Sequence, residues 1–75
     1  MIIAVTLMGG FKELTPDTGK LELDDASSIT DALKSLGIDP ARAQVVLVNG
    51  RPQADHAQAL SDEDQITVIP LVGGG

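Results

Sequence analysis

Cysteine is missing from all 75 residues, so neither disulfides nor thiolate metal sites can reinforce this chain. The single histidine, His56, stands alone in a polar stretch. That leaves no multi-histidine metal centre and no nucleophile–base pair. Trp and Tyr are absent and Phe11 is the one aromatic, so there is no platform on which bases could stack. Basic residues are scarce: 5 Lys and Arg against 11 Asp and Glu give a net charge of −6. Phosphate binding needs clustered cations, so nucleic acid is not expected as a partner. The same charge suits docking to a basic protein surface and helps keep a small domain in solution. No stretch approaches the roughly 18 apolar residues of a membrane span. The apolar opening Met1–Met8 is short and lacks the basic lead-in of a signal peptide. A soluble cytoplasmic protein is expected, with no membrane partner, no metal and no bound cofactor.

What is present reads as one small domain with a modest core. Ile2–Met8 is a first strand, rich in β-branched residues, with Ile3, Val5 and Leu7 on the inward face. Gly9-Gly10 lacks the remaining glycines and the Lys-Ser/Thr of a phosphate loop and is read as a turn. Phe11 and Leu14 are expected to cap one end of the core, and Pro16-Asp17-Thr18-Gly19 to turn the chain. Lys20–Asp24 alternates, with Leu21 and Leu23 on one face, as a second strand hairpinned to the first. Ser28 is an N-cap with Asp31 three residues on. Ile29, Ala32, Leu33 and Leu36 form one stripe of a short helix, and Gly37 stops it.

Asp39-Pro40 opens a loop, and Gln44–Val48 is an interior strand, apolar from Val45 onward. Asn49-Gly50 is a strong turn signal, and Arg51-Pro52-Gln53 a short edge segment, since proline cannot serve a central ladder. Leu60 is an isolated anchor. Asp62, Glu63 and Asp64 sit in a row and point in different directions, which favours a turn over a cation site. In the last strand Ile66, Val68, Pro70 and Val72 share one face, and Thr67, Ile69 and Leu71 the other. Strand, strand, helix, strand, short strand, strand predicts an α+β, β-grasp architecture. Its mixed sheet has four to five strands with one main helix on one face, and a right-handed crossover lays the last strand parallel to the first. Ile69 and Leu71, opposite the core set, become candidates for an exposed apolar patch.

The domain is expected to span 1–72, with residues 73–75 as a flexible glycine tail. Gly73, Gly74 and Gly75 carry no side chains, so the backbone there is thin enough to thread a channel that excludes any Cβ. Ordering glycine is entropically costly, so a partner must gain its binding energy elsewhere, on the strand before the tail.

Several segments in chain order carry a likeness. Met8-Gly9-Gly10-Phe11-Lys12-Glu13-Leu14 follows the first strand, Ser28-Ile29-Thr30-Asp31-Ala32-Leu33 begins the helix, and Val48-Asn49-Gly50 makes the turn. Leu60–Asp64 with Ile66 precedes the last strand, and Pro70-Leu71-Val72-Gly73-Gly74-Gly75 ends the chain. In these the sequence resembles the ubiquitin-like sulfur carriers, of the molybdopterin synthase small-subunit type, with thiamine-pathway carriers as near relatives. Two positions depart from that pattern: Glu63 stands where glycine is usual, and Leu71 where a second proline is.

The resemblance implies a carrier and co-substrate rather than an enzyme. A ubiquitin-activating-like adenylating partner uses ATP to form an acyl-adenylate on Gly75, and persulfide-derived sulfur converts it to a thiocarboxylate. The acceptor partner is a synthase subunit, the large subunit of molybdopterin synthase or a thiazole synthase. By the same likeness Gly75 is the reactive residue and Gly74 the thin segment within the channel. Ile69, Pro70, Leu71, Val72 and Gly73 are the partner-binding residues. Two other readings stand beside this one: a ubiquitin-like modifier conjugated through Gly75, and a passive β-grasp binding domain whose glycines are only an end.

Overall fold

The computed structural model describes residues 1–70; the expectations placed on Leu71, Val72, Gly73, Gly74 and Gly75 lie outside the described residues. Strand β1 is Ile2–Leu7, β2 Lys20–Glu22, β3 Ala43–Val48, β4 Arg51–Pro52 and β5 Gln65–Pro70, and one α-helix, α1, spans Ile29–Ser35. The five strands form one sheet in the order β2-β1-β5-β3-β4. β1 pairs antiparallel with β2 and parallel with β5. β3 pairs antiparallel with both β5 and β4. This is the β-grasp topology expected from the order of elements, with the last strand at the centre of the sheet.

Alternation decides which side chains go inside. In β1, Ile3, Val5 and Leu7 are buried; in β5, Ile66 and Val68; in β3, Val46 and Val48. A strand buries every second residue on one face, so these form a single inner layer. Helix α1 closes it with Ile29, Ala32 and Leu33, all fully buried, and Leu36 just beyond its last residue. Leu60 is buried as well. Its amide donates to the Ser27 carbonyl (2.8 Å), while the Ile29 amide donates to Gln58 (3.1 Å), so the loop before β5 is tied to the start of the helix. Among the described residues, no helix is long and apolar enough to cross a membrane.

The helix begins at a complete capping box. The Ser28 hydroxyl accepts from the Asp31 amide (3.1 Å), and the Asp31 carboxylate accepts from the Ser28 amide (2.9 Å). Two amides that have no partner within the helix are thereby satisfied. Gly37, at φ +81°, ends the helix in the left-handed region, as its type predicts. Asn49 (φ +53°) and Gly50 (φ +81°) form the tight β3–β4 turn, the two positive angles that an Asn-Gly pair is suited to.

Some expectations are corrected. Gly9-Gly10 opens a six-residue 3-10 helix, Gly9–Leu14, rather than a simple turn. Phe11 is buried by it, but Leu14 is 42% exposed and does not cap the core. The second strand is Lys20–Glu22, and backbone pairing goes on for one more residue, with the Leu23 amide donating to the Met1 carbonyl at 2.9 Å and the terminal amine of Met1 donating to the Leu23 carbonyl at 2.8 Å. Leu23 still reaches the core from beyond it. The loop after Asp39 contains a 3-10 turn, Pro40–Arg42, capped by the Asp39 carboxylate on the Ala41 amide (3.0 Å).

The capping box makes part of the stability depend on pH. The Ser28 amide, then the Ser28 hydroxyl, and lastly the charge of Lys34 hold the Asp31 carboxyl below its ordinary value. A carboxyl whose folded value is depressed stabilises fully above its unfolded value of about 4 and loses that contribution as pH falls through the folded value. In denaturant melts, wild type is expected to exceed Asp31→Asn by a constant margin from neutral pH down to about 4, and the margin should shrink on further acidification. A margin that does not change with pH would show that the carboxylate is not what holds the cap.

Candidate functional site

The residues of interest gather at the Pro70 end of β5. β5 is flanked on both sides, with Thr67 opposite Thr6 of β1 and Leu47 of β3, and Val68 opposite Leu7 and Val46. One pairing continues beyond β1: the Met8 amide donates to the Val68 carbonyl at 3.0 Å. On the other side Ala43 faces Pro70, after a register shift between Ala43 and Val45. The strand is thus held on the β1 side through Val68 and on the β3 side through Pro70. Proline fixes its own φ and holds the residue before it extended, so Ile69-Pro70 is a stiff end to the strand.

A glycine meets that end. Gly9 has φ +56°, and a Cβ built on it would lie 2.9 Å from Pro70 Cγ and 3.5 Å from Cδ. Carbon atoms sit comfortably at about 3.5–4.0 Å, so no side chain fits between them. Phe11, Leu14, Ile38 and Arg42 line an open groove beside the same contact, which Pro70 itself borders.

The sheet face away from the helix carries the second feature. Alternation places Ala4, Thr6 and Met8 of the β1 run there, with Val45 and Leu47 of β3 and Thr67 and Ile69 of β5. Met8 is 42% exposed, and Val45, Leu47 and Ile69 are half-buried. In register, Val45 lies opposite Ile69 and Leu47 opposite Thr67, so Met8, Val45, Leu47 and Ile69 make one apolar area at the Pro70 end of β5. Ile69 stands on the outer face to which its alternation assigned it; Leu71, its expected companion, lies beyond the described residues. Met8, Val45 and Leu47 were not foreseen as members. The signal was present in the unbroken apolar run Val45–Val48. A sheet covered on one face needs apolar residues only at alternate positions, so the other half of such a run is left in the open.

The opposite end of the sheet is acidic, and its carboxylates are occupied with the backbone. Asp62 accepts from the Ile2 amide at 2.7 Å. Asp64 accepts from the Ser61 amide at 2.8 Å and from Asn49 Nδ2 at 2.9 Å, while Asn49 Oδ1 accepts from the Gln65 amide at 3.0 Å. Glu63 takes φ +69° in this turn, a strained conformation for a residue with a side chain. Among the described residues no group of His, Asp and Glu is arranged to hold a metal. His56 contributes through its carbonyl, which accepts from the Thr30 amide (2.9 Å) and hydroxyl (3.0 Å).

A family model described as "ThiS family" matches residues 5–75. No curated protein matches the chain. Among solved structures, the chain is similar to the Haloferax volcanii HVO 2177 protein in solution, with a TM-score of 0.75 and 27% identity over 100% of this chain and 87% of that one. It is also similar to two crystal structures from the same organism. That of SAMP1 has a TM-score of 0.70 and 24% identity, covering 100% of both chains. That of small archaeal modifier protein 1 has a TM-score of 0.70 and 22% identity, covering 95% of this chain and 98% of that one. At their identities these two crystal structures bear on the fold alone.

Adjacent residues should separate the two faces. Met8→Asp, on the open face, is expected to alter stability by no more than about 0.5 kcal/mol. Leu7→Asp, beside it but inward, buries a carboxylate without a partner and should leave the protein largely unfolded in a thermal melt. Equal effects of the two would mean that the outer face is covered.

Proposed function

Because the chain belongs to the ThiS family, we propose that it is a sulfur carrier acting through Gly75. The observation that carries this reading is that the family match continues through residue 75, across all three glycines. The fold supports it, since the strand preceding those glycines in the chain is the central one, paired with β1 through Val68 and with β3 through Pro70.

An α-carboxylate with a pKa of about 3.5 is ionised at neutral pH and is a poor electrophile. Activation therefore comes from a ubiquitin-activating-like adenylating enzyme. A Gly75 carboxylate oxygen attacks the α-phosphorus of ATP, pyrophosphate departs, and the acyl-adenylate forms. The outer sulfur of a partner's persulfide then adds to the acyl carbon and AMP leaves, giving an acyl disulfide; a second thiol of the partner cleaves its S–S bond, releasing the thiocarboxylate and leaving a disulfide on the partner. The sulfur passes to an acceptor on a synthase subunit, and water restores the carboxylate. Molybdopterin synthesis is the favoured destination, this chain serving as the small subunit beside the large synthase subunit; a thiazole synthase is the other acceptor of this kind. Gly74 and Gly73 keep the tail thin. Ile69, Pro70, Leu71 and Val72, with the open-face residues Met8, Val45 and Leu47, supply the contact that compensates for ordering it. The folded body contributes binding and aim, and the bond-making belongs to its partners.

The likeness in fold to a small archaeal modifier protein supports a second reading, in which the activated Gly75 is joined to lysines of other proteins. Activation is common to both. Branched conjugates accumulating without a thiocarboxylate would favour the modifier.

One alanine appended after Gly75 separates either reading from a passive binding domain. It places a methyl group where the channel admits none and moves the carboxylate by one residue. Adenylation is expected to fall by at least about a hundredfold, with the melting temperature unchanged. A fully active extended protein would contradict the proposal.

A further inference from the structure

With no cysteine and no tryptophan in the chain, its two methionines are the side chains most open to attack by a peroxide. The fold treats the two differently. The Met1 side chain is 3% exposed and packs against the core. Backbone bonds hold it there: the Leu23 amide donates to the Met1 carbonyl at 2.9 Å, and the terminal amine of Met1 donates to the Leu23 carbonyl at 2.8 Å. Met8 is 42% exposed. Its backbone is extended (φ −107°, ψ 161°), and its amide donates to the Val68 carbonyl at 3.0 Å, so it continues the ladder of β1. Leu7 points inward, and alternation turns Met8 outward, onto the open sheet face with Val45, Leu47 and Ile69. The main chain of Met8 thus serves the fold while its thioether lies in the apolar area.

From this contrast we propose that Met8 is a reversible oxidation site that regulates docking through the open face, with a peroxide as the oxidant. The inference rests on the carrier reading, in which that face contacts the adenylating partner. A lone pair on the Met8 sulfur attacks a peroxide oxygen, and the O–O bond breaks as the S–O bond forms. With hydrogen peroxide, the departing hydroxide takes up the proton of the transferred oxygen and leaves as water. Sulfur loses two electrons and the peroxide gains them. The product is a polar, chiral sulfoxide where an apolar thioether stood. Pressing its oxygen into an apolar contact that offers no donor weakens binding. A methionine sulfoxide reductase, drawing two electrons and two protons from a dithiol, removes the oxygen as water and restores the thioether. Met1, enclosed by the core, is spared while the protein is folded.

To test this, the purified carrier is treated with hydrogen peroxide, catalase removes the excess before any partner is added, and peptide mass mapping locates the added oxygen. Met8 should gain oxygen at least about tenfold faster than Met1, since access governs the reaction. The melting temperature should stay within about 4 °C of its original value, as for other changes on an open surface. In adenylation by the partner, KM should rise by about tenfold or more, the worth of one buried methionine side chain. kcat should change little, because the reacting end is untouched. Reductase treatment should bring KM back. Met8→Leu keeps an apolar side chain without the sulfur; whatever its own KM, peroxide should not move it. Met8→Gln, polar and of similar length, should show the raised KM without oxidant.

Equal oxidation of Met1 and Met8 in the folded protein, a KM unmoved once Met8 carries oxygen, or a Met8→Leu protein as sensitive to peroxide as wild type would overturn the proposal. An untreated wild-type protein that forms no acyl-adenylate would instead defeat the carrier reading, and the mass map would still decide which methionine is the oxidation site.

Discussion

Parallel pairing of the first strand with the last is the constraint on which the rest of this small protein depends. Val5 lies opposite Ile66 and Leu7 opposite Val68, and all four are buried. Two parallel neighbours cannot be joined by a hairpin; the chain must cross over between them. The helix and the β3–β4 hairpin occupy that crossover. The helix covers the inner face, and the hairpin supplies β5 with its second neighbour. One result is that the final strand is also the central one. It has a neighbour on each side, β1 through Val68 and β3 through Pro70, whereas an edge strand would have only one.

This arrangement divides the molecule into an end that holds and an end that presents. At the holding end, beside the start of β1, Asp62, Asp64 and Asn49 take up backbone amides and one another. Their carboxylates serve the fold, and acidic residues that could be mistaken for a cation site are accounted for as turn chemistry. At the presenting end are Gly9, Pro70, a groove and an open apolar sheet face. A carrier needs this asymmetry, because its reactive group must enter a partner while its body remains outside.

Much of this was legible in the sequence wherever a local rule decides the outcome. The Ser28–Asp31 cap, the stripe Ile29–Leu36, the Asn49-Gly50 turn and the alternation in β1 and β5 each follow from residues a few positions apart. Features that depend on distant residues were not legible. Leu14 is apolar like a core residue, yet at the last position of the 3-10 helix it stays 42% exposed. The register shift at Gln44 depends on how β3 meets Pro70, twenty-six positions later in the chain (70 minus 44). The Gly9–Pro70 contact spans nearly the whole chain, and nothing near Gly9 in sequence announces it. Glu63 is a different case. The absence of the usual glycine was visible, and the turn keeps a positive φ with glutamate in place.

The central claim is that the folded body exists to deliver a reactive chain end, and intact-protein mass after reaction tests it most directly. The purified protein is incubated with ATP, its adenylating partner and a persulfide sulfur donor. The account predicts a mass gain equal to the replacement of one oxygen by sulfur, and fragmentation should locate it at Gly75. An unchanged mass, with no acyl bond formed at that residue while the partner demonstrably consumes ATP with another carrier, would contradict it.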